Sequence, residues 1–290
     1  MAVSASEAPR KPPASLLDAY TLHGTIPMDT FYVDDASYSV DVMYDQDELT
    51  ACVEHAHKAK QQPRLLATRG GGVARDLVAR ALFEGGASAV KDADVVVFGA
   101  TDPWVECLSV AAGAKSVLTI EYQNLTYQHA SMRTMPALDF ERGVRDGGRL
   151  AATFDVAIAL SAFDHDGLGR YGDRLHPAGD LLAMRTAWRA LRPISGRLLL
   201  SAPVGPDLLV WNLHRRYGAT RLPMLLRGWQ EDARLGWDEG RLTANSDHRR
   251  RYEPLFVLRR NASTDLDVDV DARPHVVEVS PTGETSRNGE

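Results

Sequence analysis

Cysteine is scarce: the 290 residues contain two, Cys52 and Cys107. Two thiols cannot build a disulfide framework or a structural zinc site, so a reducing compartment is the default expectation. No run approaches the roughly 18–20 apolar residues a membrane span needs. Met1 to Leu17 carries Arg10, Lys11, Pro12 and Pro13 without an apolar stretch behind them, so it does not read as a secretory signal. There is no surplus of basic charge either: 33 lysines and arginines face 39 acids, a net charge of −6. This argues against a chain that coats nucleic acid. No G-x-S-x-G elbow is present, and Gly70-Gly71-Gly72 lacks the lysine and Ser/Thr of a P-loop. What is present is ordinary: 44% hydrophobic and 25% charged residues, enough for a substantial core. A cytoplasmic protein with a small-molecule substrate, and no nucleic-acid or membrane partner, is the expectation; the composition does not speak to oligomeric state.

Apolar runs alternate with helical stretches. Asp94–Phe98 (DVVVF), Ser116–Tyr122 (SVLTIEY), Phe154–Leu160 (FDVAIAL) and Gly196–Ala202 (GRLLLSA) read as strands buried on both faces. A shorter run is expected over Arg64–Thr68, and a terminal strand at Leu255–Leu258. Helices are expected over Asp47–Lys60, Val73–Phe83, Pro103–Ala112 and Gly179–Leu191. The alternation implies an α/β fold with a doubly wound, mostly parallel, Rossmann-like sheet. Residues 1–15 read as a disordered leader, 16–92 as an N-terminal cap, 93–260 as the Rossmann-like domain and 261–290 as an acidic tail. Ligands of such sheets bind beyond the carboxyl ends of the strands, at the switch point.

Three constellations fall at strand carboxyl ends. In VVVFGATDPWVE (95–106), Gly99 ends a buried strand and a helix opens near Pro103; Glu121 ends the next strand 22 residues beyond Gly99. That offset suits an acid meeting ribose hydroxyls. The alternative is a structural turn with a solvated acid. In SAFDHDGLGRYGD (161–173), His165 is a natural proton acceptor near neutral pH, with Asp164, Asp166 and Asp173 to orient it or hold a substrate. SAPVGPD (201–207) and WNLHRRYG (211–218) offer Asp207, Asn212, His214, Arg215 and Tyr217, and Arg215, Arg216, Arg221 and Arg227 could form an anion site. His165, His176 and His214 have no diagnostic metal-ligand spacing, so no metal is expected. Phe31, Tyr32, Tyr38 and Tyr44 could line an acceptor pocket or a small core. Cys107 reads as a core filler, and the basic run His248–Arg251 as a solvated edge.

The strings D-G-L-G-R-Y-G-D-x-L-x-P-x-G-D, S-A-P-V-G-P-D and N-x-H-R-x-Y-G-x-x-R-L, with G-A-x-x-P-W-x-E and V-x-T-I-E-Y before them, resemble a domain-of-unknown-function family first described from nematode proteins. That family is similar to class I S-adenosylmethionine-dependent methyltransferases. The resemblance implies S-adenosylmethionine as cofactor, held by Gly99, Ala100, Thr101, Glu121, Asp139 and Ser161. Together with the strand pattern and the 161–173 loop, it makes methyl transfer to a small molecule, such as a sugar or sugar nucleotide, the leading expectation, with His165, Asp164 and His214 as catalytic candidates. Arg170, Tyr171, Asp173, Asp207, Asn212 and Arg215 would contact substrate. Two features depart from the pattern: the first motif keeps one glycine, and only Leu255–Leu258 of the final antiparallel hairpin is visible. A non-catalytic nucleoside-binding scaffold, or an α/β enzyme using a nicotinamide cofactor or a metal, is the competing expectation.

Overall fold

A computed structural model of the chain describes residues 8–33, 35, 41–62, 75–84, 90–244 and 251–260. The run at 64–68, the glycines at 70–72, Tyr38, residues 1–7, residues 248–250 and the acidic tail lie outside the described residues. In chain order the elements are α1 (Ala14–Tyr20), β1 (Met28–Thr30), β2 (Val42–Tyr44), α2 (Gln46–Gln61), α3 (Arg75–Glu84), β3 (Asp94–Phe98), α4 (Trp104–Ala111), β4 (Ser116–Glu121), β5 (Leu125–Tyr127), β6 (Met132–Pro136), α5 (Ala137–Val144), β7 (Val156–Leu160), α6 (Gly179–Ala190), β8 (Arg197–Ser201), β9 (Leu208–Trp211), β10 (His214–Arg216), α7 (Arg221–Leu225), β11 (Trp229–Leu235) and β12 (Leu255–Arg260).

Seven strands form the main sheet, in the order β11-β12-β8-β7-β3-β4-β6. The pairs from β6 through β8 are parallel, and β12 runs antiparallel between β8 and β11. The expected doubly wound sheet is therefore present, and the switch point lies between β3 and β7, where the winding reverses. The β-branched run of β3 shows why it is central: Val95 and Val97 enter one apolar cluster, Val96 and Phe98 another on the opposite face. Helices α2, α3 and α4 cover the first face; α5, α6 and α7 cover the second. The final hairpin escaped the sequence reading because β11, WQEDARL, is an exposed and charged edge strand.

The N-terminal region is built into the domain. Strand β1 pairs in parallel with β9, and β2 with β5. Part of the expected leader is ordered as well: Trp211 Nε1 donates to the Pro9 carbonyl and the Tyr32 hydroxyl to that of Ala8. A capping box between Asp45 and Glu48 starts α2. The two cysteines correct the core-filler reading. Cys52 of α2 and Cys107 of α4 form a disulfide, with Cα atoms 5.8 Å apart. The cysteine count thus carries no argument for a reducing compartment. Among the described residues, no helix is long and apolar enough to cross a membrane.

Candidate active site

Beyond the carboxyl ends of β3, β4 and β7 lies a cleft of about 780 Å³, its open mouth included. Phe98, Ile120, Ala137 and Phe140 supply apolar walls, and Gly99, Thr101, Glu121 and Ser161 line its polar side. Gly99 has φ +67°, and a Cβ there would stand 2.8 Å from that of Ala162, so only glycine fits the turn. The loop after it is held from the cap: the Tyr44 hydroxyl donates to the Thr101 carbonyl at 3.0 Å, and Arg75 pairs with Asp102 at 3.3 Å. Glu121 is 6% exposed, and its Oε1 accepts the backbone N–H groups of Tyr122 and Gln123. Burial pushes its carboxyl above the usual range.

Ala100 and Asp139 lie outside this cleft. Ala100 turns to the opposite side of the loop, beside Trp104 and Leu160. Asp139 is exposed on the outer face of α5, paired with Arg142 at 3.1 Å. Glu141 lines the cleft instead. Helical periodicity carried that signal, since Ala137, Phe140 and Val144 form the inward stripe and position 141 adjoins it.

A second chamber adjoins the first, and Ser161, His165 and Tyr171 line both. Phe31, Arg170, His214 and Arg251 contribute to its other walls. Ser161 has φ 51°, a left-handed conformation that costs a non-glycine residue about 1 kcal/mol. Its N–H donates to the Ser201 carbonyl at 2.9 Å and its hydroxyl bonds to the buried Glu253. The strained residue thus sits where the chambers meet.

The three catalytic candidates come together here with different roles open to them. His165 is 5% exposed; its Nδ1 donates to the Leu213 carbonyl, and its Nε2 lies 3.4 Å from Asp164 Oδ2. Burial, then the Arg170 guanidinium, pulls its pKa down to about 3. Asp164 is fully buried, and neither carboxylate oxygen has a hydrogen-bond partner among the described residues. Burial pushes its carboxyl up, against the pull of His214. His165 is therefore uncharged at neutral pH, with both imidazole nitrogens turned toward protein. His214 differs. Its Nδ1 donates to the Arg215 carbonyl at 3.1 Å, which fixes the tautomer, and its Nε2 has no hydrogen-bond partner among the described residues. Burial lowers its pKa below the ordinary histidine value, so that nitrogen keeps its lone pair at neutral pH.

Arg170 and Tyr171 also line the second chamber, Arg170 paired with Asp35 at 2.7 Å. The other expected substrate contacts are consumed within the protein. Asp173 accepts the N–H groups of Gly167, Gly169 and Tyr171 and so closes the 161–173 loop. Asp207 accepts those of Gly218, Thr220 and Arg221. Asn212 exchanges two hydrogen bonds with the Val33 backbone. Arg215 clamps the loop through the carbonyls of Asp166 and Pro177, at 2.6 and 3.2 Å. Arg216 donates to the Pro206 carbonyl, and Arg221 makes two bonds to the buried Asp180. The expected anion site at 215, 216 and 221 is thus a structural network. Residues the sequence reading did not single out are Tyr122, whose hydroxyl bonds Asp166, and Glu253, which bonds Ser161; Arg251, expected on a solvated edge, instead lines the second chamber. Among the described residues, no group of three His, Cys, Asp or Glu is arranged to hold a metal.

A seven-stranded, doubly wound sheet with one antiparallel strand, carrying a two-chambered cleft at its switch point, defines a Rossmann-like α/β protein. The chain belongs to the family described as "Caenorhabditis protein of unknown function, DUF268", whose profile matches residues 92–251, more than half its length. No curated protein matches the sequence. Among solved structures, an S-adenosylmethionine-dependent methyltransferase from Mesorhizobium loti is 16% identical, with 61% of this chain and 100% of that one covered and a TM-score of 0.41. A protein described as an RNA methyltransferase from Pyrococcus horikoshii is 10% identical over 72% of this chain and 98% of that one, with a TM-score of 0.41. One described as a hemolysin from Streptococcus thermophilus is 14% identical over 70% and 71%, also with a TM-score of 0.41. At these identities the likeness concerns the fold alone.

Proposed function

We propose that the protein transfers a methyl group from S-adenosylmethionine to a hydroxyl or amine of a small molecule. The observation that carries this reading is the pair of chambers meeting at Ser161, with His214 lining the second and its buried Nε2 without a hydrogen-bond partner among the described residues. The residues of the first chamber fit the cofactor. Gly99 leaves the backbone open to close approach, the apolar walls suit a purine, and Glu121 is an acid at the end of the second strand of the winding. When bound there, S-adenosylmethionine supplies an electrophilic methyl group. The protein's part is to orient the acceptor, keep water out and hold its proton. His214 takes that proton at Nε2. His165 is the neutral wall that positions the acceptor, and Asp164, buried behind it, helps hold the 161–173 loop. No covalent nucleophile is required.

Calorimetric titration with S-adenosylmethionine and S-adenosylhomocysteine, on the wild type and on Glu121→Ala, tests the reading. Micromolar binding that weakens at least tenfold in the variant is the expected result. Well-folded wild-type protein that gives no heat with either ligand refutes it.

A further inference from the structure

The second chamber has a charge pattern that methyl transfer alone does not explain. Two guanidiniums, Arg170 and Arg251, line it, and among the described residues no carboxylate does. Asp35 and Glu253, their ion-pair partners, are not among the lining residues and engage the Nε atoms, at 2.7 and 3.4 Å. Among the described residues, the terminal nitrogens of neither guanidinium make a hydrogen bond within the protein. Arg170 also lies over the Tyr171 ring, with its carbon 4.8 Å from the centroid, which restricts where the planar group can point. Both cations depress the protonation of His165, so both fields reach the same point of the chamber. Buried against that point is His214, 2% exposed, with Nε2 unpartnered among the described residues. Phe31 and Leu213 add apolar surface.

From this juxtaposition we infer that the second chamber binds an acidic acceptor: a small molecule carrying a carboxylate or phosphate together with the group to be methylated. Arg170 and Arg251 hold the anion, and His214 faces the hydroxyl or amine. A guanidinium presents paired N–H donors that match either oxyanion in a fork geometry, so the shared chemistry is a planar pair of anionic oxygens. The apolar wall favours a ring between anion and acceptor group. This inference rests on the methyl-transfer reading for the identity of the reacting group, but the anion site stands on its own lining. It also replaces the anion site expected at Arg215, Arg216 and Arg221, whose donors are spent inside the fold.

The test uses three probes of one shape: 4-hydroxybenzoate, 4-hydroxyphenyl phosphate and the neutral 4-hydroxybenzamide. Binding of each is measured by calorimetry on the full chain with S-adenosylhomocysteine present, for the wild type, Arg170→Gln and Arg251→Gln. The expected result is at least tenfold tighter binding of one anion than of the amide, with that preference reduced severalfold in either variant while S-adenosylhomocysteine affinity is unchanged. Whichever anion binds better names the source, carboxylate or phosphate. Equal binding of anions and amide by the wild type overturns the inference without any variant having to fold. A preference that survives both substitutions overturns the assignment to these arginines; Arg251→Gln, on a partly exposed side chain, guards against misfolding from loss of the Arg170–Asp35 pair. If the anions bind and S-adenosylhomocysteine does not, the anion site stands and the methyl-transfer reading fails. If S-adenosylhomocysteine binds and no anion is preferred, the reverse holds.

Discussion

Glu106 lies on α4, fully buried in the apolar layer behind the cleft loop. Its Oε1 accepts the Thr119 hydroxyl at 2.7 Å and that of Tyr127 at 3.4 Å, while Oε2 has no hydrogen-bond partner among the described residues. Burial pushes its pKa from 4.5 up to about 7, against the pull of the Thr119 hydroxyl. Below pH 4.5 the carboxyl is protonated in both folded and unfolded chains. Between pH 4.5 and 7 the unfolded chain releases its proton and the folded chain retains it, so stability falls as pH rises. The whole loss is roughly 3 kcal/mol at about 1.4 kcal/mol per pH unit, complete above pH 7. Glu106→Gln keeps the shape and an acceptor for Thr119 but cannot ionise. Urea denaturation of both proteins at pH 4, 5.5 and 8 should therefore show the glutamine variant gaining about 3 kcal/mol on the parent between the extremes. Other titrating groups cancel in that difference. A difference that stays constant across the range refutes the buried neutral acid.

Two further outcomes test other parts of the structure. His214→Ala should lower turnover about 10²–10⁴-fold, the usual contribution of a general base, with S-adenosylhomocysteine affinity unchanged. In the wild type, the acid limb of kcat/KM against pH should have its midpoint below the ordinary histidine value, because burial holds His214 neutral and activity falls only as pH drops through its lowered pKa. Reducing the Cys52–Cys107 disulfide, which closes a 55-residue loop, should lower stability by up to about 4 kcal/mol by chain entropy. Thermal melts with and without dithiothreitol read this directly, and the Cys52→Ser/Cys107→Ser double variant should be insensitive to reductant.

The strand–helix alternation was legible because a central parallel strand is buried on both faces and must be apolar throughout; β3, β4, β7 and β8 all satisfy this. The same reasoning placed Gly99, Glu121, Ser161, His165 and His214, since residues that follow such strands gather at one end of the sheet whatever the loops do. Residue type and position relative to a strand were enough for that much. They were not enough to say which polar groups are free. Asp173, Asp207, Asn212 and Arg215 look like ligand contacts in the sequence but spend their donors and acceptors on backbone groups, and Asn212 reaches back 179 residues to Val33. Cys52 and Cys107 meet only because α2 packs on α4, and Glu253 reaches Ser161 across 92 residues. The sequence by itself determined the layered α/β sheet and the end of it where the cleft opens, because both follow from local burial patterns. Tertiary structure alone decided which side chains remain available there, because a hydrogen-bonding group is spent or free only according to partners that the folded chain brings from far along the sequence.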